Sequence, residues 1–443
     1  MLPDTSHYWL RNAQVPDALL VRSRQGRNRQ WSTPNSPQDN LLAVDLEIAN
    51  GEIASIATAG AIASYSHPSV DLKGGMVFPC FVDAHTHLDK GHIWGRSPNP
   101  DGSFGSAIDA IIADAAQWNE TDLYHRMEFG LKCSYAHGTK AIRTHLDSAG
   151  ELAHMSFSVF QQLQHEWRDR LILQAVCLVP LEYYGTPAGE ALADQIAEIG
   201  GILGGFAYMN PNIETEVERT VAIAKDRKLN LDLHTDETND PDSITLRLVA
   251  DAAIKQRFSG QIVCGHCCSL AVQSEAEANK TIERVKQAKI GVISLPMCNL
   301  YLQDRQPKRT PRWRGVTLLH ELKAAGIPVA IASDNCRDPF HAYGDHDALE
   351  VFSLSAKIGH LDHPFLDWCA AITSTPADLM GLPTVGRIGV GLPADLVVFK
   401  ARRYSELLSR SQRDRIVLRN GQAIDTALPD YAELDDLVQP LPK

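Results

Sequence analysis

The stretch FVDAHTHLDKG, residues 81–91, leaves an apolar segment and ends in two histidines one residue apart, an acid and a lysine. A strand repeats every two residues, so His85 and His87 project from the same side of one strand end. Seven further β-rich runs follow: TKAIRTHLD (139–147), RLILQAVCLVP (170–180), GILGGFAYMN (201–210), LNLDLHTDE (229–237), QIVCGHCC (261–268), KIGVISLPMC (289–298) and IPVAIASDN (327–335). The segments between them, such as SAIDAIIADAAQW (106–118) and ITLRLVADAAIKQ (244–256), carry apolar residues at helical spacing. Strands alternating with helices predict an α/β chain whose residues 76–381 close into a (β/α)8 barrel of the TIM type.

The flanks have a different grammar. LLAVDLEIANGEIASIATAG (41–60) alternates apolar and polar residues around Asn50-Gly51, and RIVLRNGQAID (415–425) does so around Asn420-Gly421. Both predict hairpins, because Asn-Gly suits the positive φ values of the tightest hairpin turn. Neither flank buries much alone, so residues 1–75 and 382–443 are expected to form one small β-sandwich built from both termini. The polar, Pro-containing segments 28–40 and 303–315 are the expected mobile loops.

A barrel places its catalytic groups at the C-terminal ends of its strands. His234 ends the fifth run, His266 the sixth and Asp334 the eighth. One such histidine is a common core residue; several at separate strand ends indicate a metal site. Imidazoles with a carboxylate suit Zn²⁺ or Fe²⁺ rather than Mg²⁺ or Ca²⁺. Glu237, three residues past His234, stands where a general acid/base can work beside the metal.

Composition bounds the partners. A formal net charge of -12, spread along 443 residues without a basic block, argues against nucleic acid and anionic membranes. A start without a charged leader, and the lack of about 18 consecutive apolar residues, predict a cytoplasmic protein. The nine cysteines sit mostly in apolar runs, and the CxxC at Cys264 and Cys267 lacks a second ligand pair, so buried thiols are expected.

The motifs HTHLDKG (85–91), RTHLDS (143–148), HTDET (234–238), GHCCSL (265–270), NLYLQDR (299–305), RWRGV (312–316) and SDNCRDPFHAYGD (333–345) resemble, in order, the strand-end motifs of the amidohydrolase superfamily in its cytosine deaminase branch. The likeness spans residues 76 to about 380. It implies a metal-dependent hydrolase of C–N bonds in cyclic amidines, acting on a small heterocycle in pyrimidine metabolism and assembling as a homo-oligomer. By the resemblance His85, His87, His234 and Asp334 hold one divalent metal, since no lysine follows the pattern of a bridging ligand. Glu237 protonates the ring nitrogen, His266 orients the attacking water, and Asp334 also accepts a proton. Lys90, Leu181, Asn299 and Asn335 are the expected substrate contacts.

The resemblance is incomplete at the substrate. Leu181, in VPLEYYG, stands where the branch has an edge-reading glutamine, and Asn335 replaces the second acid of a pair. Lys90 is similar to the lysine of N-isopropylammelide amidohydrolases, which release alkylamines from s-triazines, so that reaction is the alternative to deamination. A catalytically inactive binding protein is the alternative of another class, disfavoured because every ligand and Glu237 are present. The H-x-E and P-C-x-x-C signature of the other deaminase fold does not occur.

Overall fold

The structure, a computed structural model, describes residue 3 and residues 5–21 and 39–438. All but the last two residues of the predicted loop 28–40 therefore lie outside the described residues. The chain divides into two compact units: Met1–Val82 with Cys133–Ala141 and Asp347–Leu428, and Asp83–Lys132 with Ile142–His346 and Pro429–Lys443.

In the first unit, strands β1 (His7–Pro16), β2 (Leu41–Ala49), β3 (Glu52–Thr58) and β4 (Ser69–Asp71) form a sheet in the order β3-β2-β1-β4. The β2–β3 hairpin turns at Asn50 and Gly51, both with positive φ (51° and 89°), as the Asn-Gly pair predicts. Strand β1, absent from the sequence expectations, pairs antiparallel with the whole of β2.

Strand β5 (Val77–Pro79) precedes eight parallel strands: β6 (Phe81–Thr86), β7 (Thr139–Asp147), β8 (Ile172–Leu178), β9 (Leu203–Ala207), β10 (Leu231–Thr235), β11 (Ile262–His266), β12 (Gly291–Ser294) and β13 (Val329–Ile331). Each falls within a run read from the sequence. The orders are β6-β7-β8 and β13-β12-β11-β10-β9. Parallel bridges Val176↔Ile202 and Pro180↔Phe206 join β8 to β9, and Thr86↔Asp334 joins the end of β6 to the residues after β13. This is an α/β fold with parallel sheets. Every residue of β6 and β10–β13 is buried, the continuous burial expected of parallel strands covered on both faces. On β9 the Gly204-Gly205 pair admits its neighbours: a Cβ at Gly204 would lie 2.2 Å from Val176 Cγ1 and 2.5 Å from the Cys177 carbonyl.

The remaining strands, β14 (Leu396–Val398), β15 (Ile416–Arg419) and β16 (Gln422–Ala423), form a sheet with β5 in the order β16-β15-β14-β5. Asn420 and Gly421 turn β15 into β16 with φ of 46° and 73°. Tyr8, Leu10, Val44 and Leu46 from the first sheet share one apolar core with Val77, Leu396, Val398 and Leu418 from this one. All nine cysteines are buried thiols, and no described helix is long and apolar enough to cross a membrane.

Candidate active site and metal centre

Strand β6 delivers His85 and His87 to its C-terminal end, and the neighbouring strand ends converge on them. His87 Nε2 lies 3.3 Å from His234 Nε2 and 3.3 Å from Asp334 Oδ1; His85 Nε2 lies 3.7 Å from the same oxygen. The ring centres of His85 and His234 are 4.6 Å apart, and those of His234 and His266 are 4.9 Å apart. Asp334 adopts a left-handed backbone (φ 65°) and donates its N–H to the His85 carbonyl, which ties the ligand to the strand it faces. His266 (φ 66°) and Asp236 (φ 52°) share that sparsely populated region. Backbone strain of this kind gathers at functional sites.

Buried polar atoms without hydrogen bonds cost roughly 1–3 kcal/mol each, so several together need an explanation. Both ring nitrogens of His85, Nδ1 of His87 and His234, Nε2 of His266 and both carboxylate oxygens of Asp334 lack a hydrogen-bond partner although buried. Burial pushes the histidines His85, His87 and His234 well below the usual imidazole pKa, keeping their nitrogens as neutral donors. Convergent neutral imidazoles and a carboxylate fit a divalent transition metal, which would take up one nitrogen from each imidazole together with the Asp334 carboxylate. Burial also pushes the Asp334 carboxyl up to about 7.

Glu237 stands beside this cluster. Asn299 Nδ2 donates to Glu237 Oε1 at 3.0 Å, and His266 Nδ1 faces the same oxygen at 3.2 Å. Burial and then the Asp334 charge raise the Glu237 pKa well above the usual carboxyl range, while burial lowers His266 to about 3. Both shifts favour the proton on the carboxyl over the imidazole. Asn299 sits on the helix Pro296–Leu302, whose other face lines a cavity of about 440 Å³ with Met297, Tyr301, Arg305 and Arg314.

Sequence reasoning overlooked His145. It is the third residue of the RTHLDS motif on β7, and its ring centre lies 4.0 Å from that of His85. Its Nε2 lies 3.2 Å from Asp232 Oδ1, and Arg143 donates to Asp232 Oδ2 at 2.8 Å. All three side chains are buried. The available signal was the period of two: Arg143 and His145 face one way on β7, as His85 and His87 do on β6.

The expected substrate residues divide. Lys90, readable as a loop lysine, is 4% exposed, and its Nζ donates to Asp147 Oδ1 at 2.7 Å. Burial alone would lower its pKa, but Asp147 and Asp89 outweigh that and raise it. Leu181 begins the single turn Leu181–Gly185 and packs against β9, 2.9 Å from where a Gly205 Cβ would lie. Asn335 turns its amide onto Asp338 Oδ2 at 2.7 Å, so it holds its own loop.

A family described as "Amidohydrolase family" matches residues 69–175 and 129–424. The chain belongs to that family. Among amidohydrolase relatives, the pterin deaminase of Rhizobium rhizogenes is 49% identical over 98% of both chains. N-isopropylammelide isopropyl amidohydrolase of Pseudomonas sp. is 24% identical, covering 80% of this chain and 87% of that one. The 5-methylcytosine deaminase of Klebsiella pneumoniae, solved with 5-fluorocytosine, shares the fold with a TM-score of 0.79 at 23% identity, covering 95% and 98% of the two chains.

Proposed function

We propose that this chain is a metal-dependent hydrolytic deaminase of a nitrogen heterocycle, with a pterin as substrate. The observation that carries the reading is Glu237, held by Asn299 with a raised carboxyl pKa against the His85, His87, His234 and Asp334 cluster. The identity of 49% to a protein named pterin deaminase, over nearly the whole of both chains, supports the bicyclic ring over the monocyclic pyrimidine expected from the motifs. In pterin the amino-bearing carbon lies between two ring nitrogens, and in cytosine it has one ring nitrogen beside it. Water adds to that carbon, the C–N bond breaks, and ammonia leaves a carbonyl behind.

His85, His87, His234 and Asp334 would hold one divalent cation at this centre, Zn²⁺ or Fe²⁺ by donor type, which when bound would activate water at neutral pH by lowering its pKa to about 7. Glu237 delivers its proton to the ring nitrogen beside the attacked carbon, so that charge does not accumulate there. Asn299 keeps that carboxyl aimed. Asp334 accepts the nucleophile's proton, and His266 orients the nucleophile through its free Nε2. Lys90 faces the ring oxygen, while Leu181 and Asn335 shape the wall around the ring.

In this reading the eight parallel strands close as a (β/α)8 barrel, domain 76–381. The two terminal sheets form the β-sandwich of residues 1–75 and 382–443, to which β5 (Val77–Pro79) adds one strand. The enzyme belongs with the hydrolases of cyclic amidines and works in the cytoplasm as a homo-oligomer, without nucleic acid or membrane. A second reading, alkylamine release from an s-triazine, is favoured by buried Lys90 and the relative at 24% identity. A panel of pterin, cytosine and N-alkylated triazines, scored for ammonia against alkylamine, separates these. Ammonia from pterin at the highest kcat/KM is expected; preference for cytosine or a triazine removes the pterin assignment.

A further inference from the structure

A second group of potential ligands lies outside the active-site cluster. His92, Cys336 and His346 are buried, and one ligand atom from each lies within 4.8 Å of the other two. His92 is 2% exposed, and neither of its ring nitrogens has a hydrogen-bond partner. An imidazole carries one N–H and one lone pair, so a buried ring with both unmet is costly unless something else binds there. Phe129 closes over it with ring centres 4.8 Å apart, so the wall beside His92 is apolar.

The backbone is shaped around these three side chains. His92 and His346 both take left-handed φ, 64° and 54°, in loops, and both are buried. The helix Glu120–His137 carries Gly130 at the approach. A Cβ there would lie 2.9 Å from Leu88 Cδ2 and 3.1 Å from His346 Nε2, so the glycine leaves room for the imidazole. The backbone N–H of His346 donates to the Cys336 sulfur, although burial pushes that thiol well above its usual range. The His92 N–H donates to the Cys336 carbonyl at 3.1 Å, and the Trp94 N–H to the Arg337 carbonyl at 2.8 Å. Two segments are thus laced together here: the one that follows His87 and Lys90, and the one that follows Asp334.

We propose that His92, Cys336 and His346 form a second transition-metal site, structural in role, that clamps the two segments bearing the active-site residues. One thiolate and two imidazoles make a donor set that favours Zn²⁺ or Cu⁺ over the hard, oxygen-seeking Mg²⁺ and Ca²⁺. Bonds of about 2.0–2.3 Å to nitrogen and sulfur would draw together three ligand atoms that already lie within 4.8 Å of one another. The site gives Cys336 a function that the deamination chemistry does not use, and it stands whether or not the pterin reading does.

Cobalt distinguishes the two centres, because only a thiolate ligand gives the near-ultraviolet sulfur-to-Co²⁺ charge-transfer band. The active-site cluster offers imidazole and carboxylate alone. The full-length protein, stripped by chelation and reloaded with Co²⁺, is expected to show the band with two metal equivalents bound. Cys336→Ser should abolish the band and bind one equivalent fewer, and His92→Gln should weaken it. His87→Asn, which disables the other centre, should keep it. Wild-type protein that takes up Co²⁺ without the band overturns the proposal, and this measurement needs no variant to fold. A band that survives in Cys336→Ser, or vanishes in His87→Asn, overturns it as well.

Discussion

Replacing Glu237 by glutamine removes one proton from the site and little else. Asn299 Nδ2 donates to Glu237 Oε1 at 3.0 Å, and an amide oxygen in the same place accepts the same bond. The side chain keeps its length, and the His85, His87, His234 and Asp334 cluster is not altered. What goes is the proton that the raised carboxyl pKa holds ready for the ring nitrogen. General acid catalysis of this kind contributes about 10²- to 10⁴-fold. At about 1.4 kcal/mol per factor of ten, that is roughly 3–6 kcal/mol of lost transition-state stabilisation. Initial rates of ammonia release from pterin should therefore show kcat down by two to four orders of magnitude. KM should be nearly unchanged, and the metal content by elemental analysis should equal that of the parent. A kcat within threefold of the parent would remove Glu237 from the proton transfer. An equal fall in metal content would mean that the residue supports the metal centre instead.

Asp232→Ala strands Arg143 and His145 in the interior; removing one partner of a buried pair costs about 3–5 kcal/mol, read from urea unfolding, and a loss under 1 kcal/mol would refute the buried-pair account. Gly204→Ala forces a methyl to 2.2 Å from Val176 Cγ1 and should destabilise by about 1–3 kcal/mol in the same assay; wild-type stability would show that β8 and β9 are not so close. Leu181→Gln supplies an edge-reading amide and should raise kcat/KM for cytosine relative to pterin about ten-fold, equivalent to about 1.4 kcal/mol. An unchanged ratio would show that position 181 does not read the ring. Chelation should abolish turnover and Zn²⁺ or Fe²⁺ restore it, whereas full activity in metal-free protein would end the hydroxide mechanism.

The sequence by itself determined the elements and the polar strand ends. The eight parallel strands follow from short apolar runs alternating with helical spacing, and both hairpins from Asn-Gly. The strand period of two aims His85 and His87 together without any knowledge of neighbours. These signals are local, since backbone geometry fixes them within a few residues. Only the tertiary structure decided what depends on approach between distant segments. Strand β1 carries no strong local signal; its pairing with β2 and the shared apolar core hold it. The helix Glu120–His137 went unremarked because its apolar residues make no clear stripe. Lys90 reads as a loop lysine until Asp147, on another strand, is placed 2.7 Å from its ammonium in a buried setting. His145 looks like one histidine among several until β7 lies beside β6 and Asp232 faces it across the interior. His92, Cys336 and His346 share no spacing that a motif could encode, because folding alone brings their ligand atoms within 4.8 Å. A side chain's chemistry is written at its own position, but its burial and partners belong to the packing, which no local pattern contains.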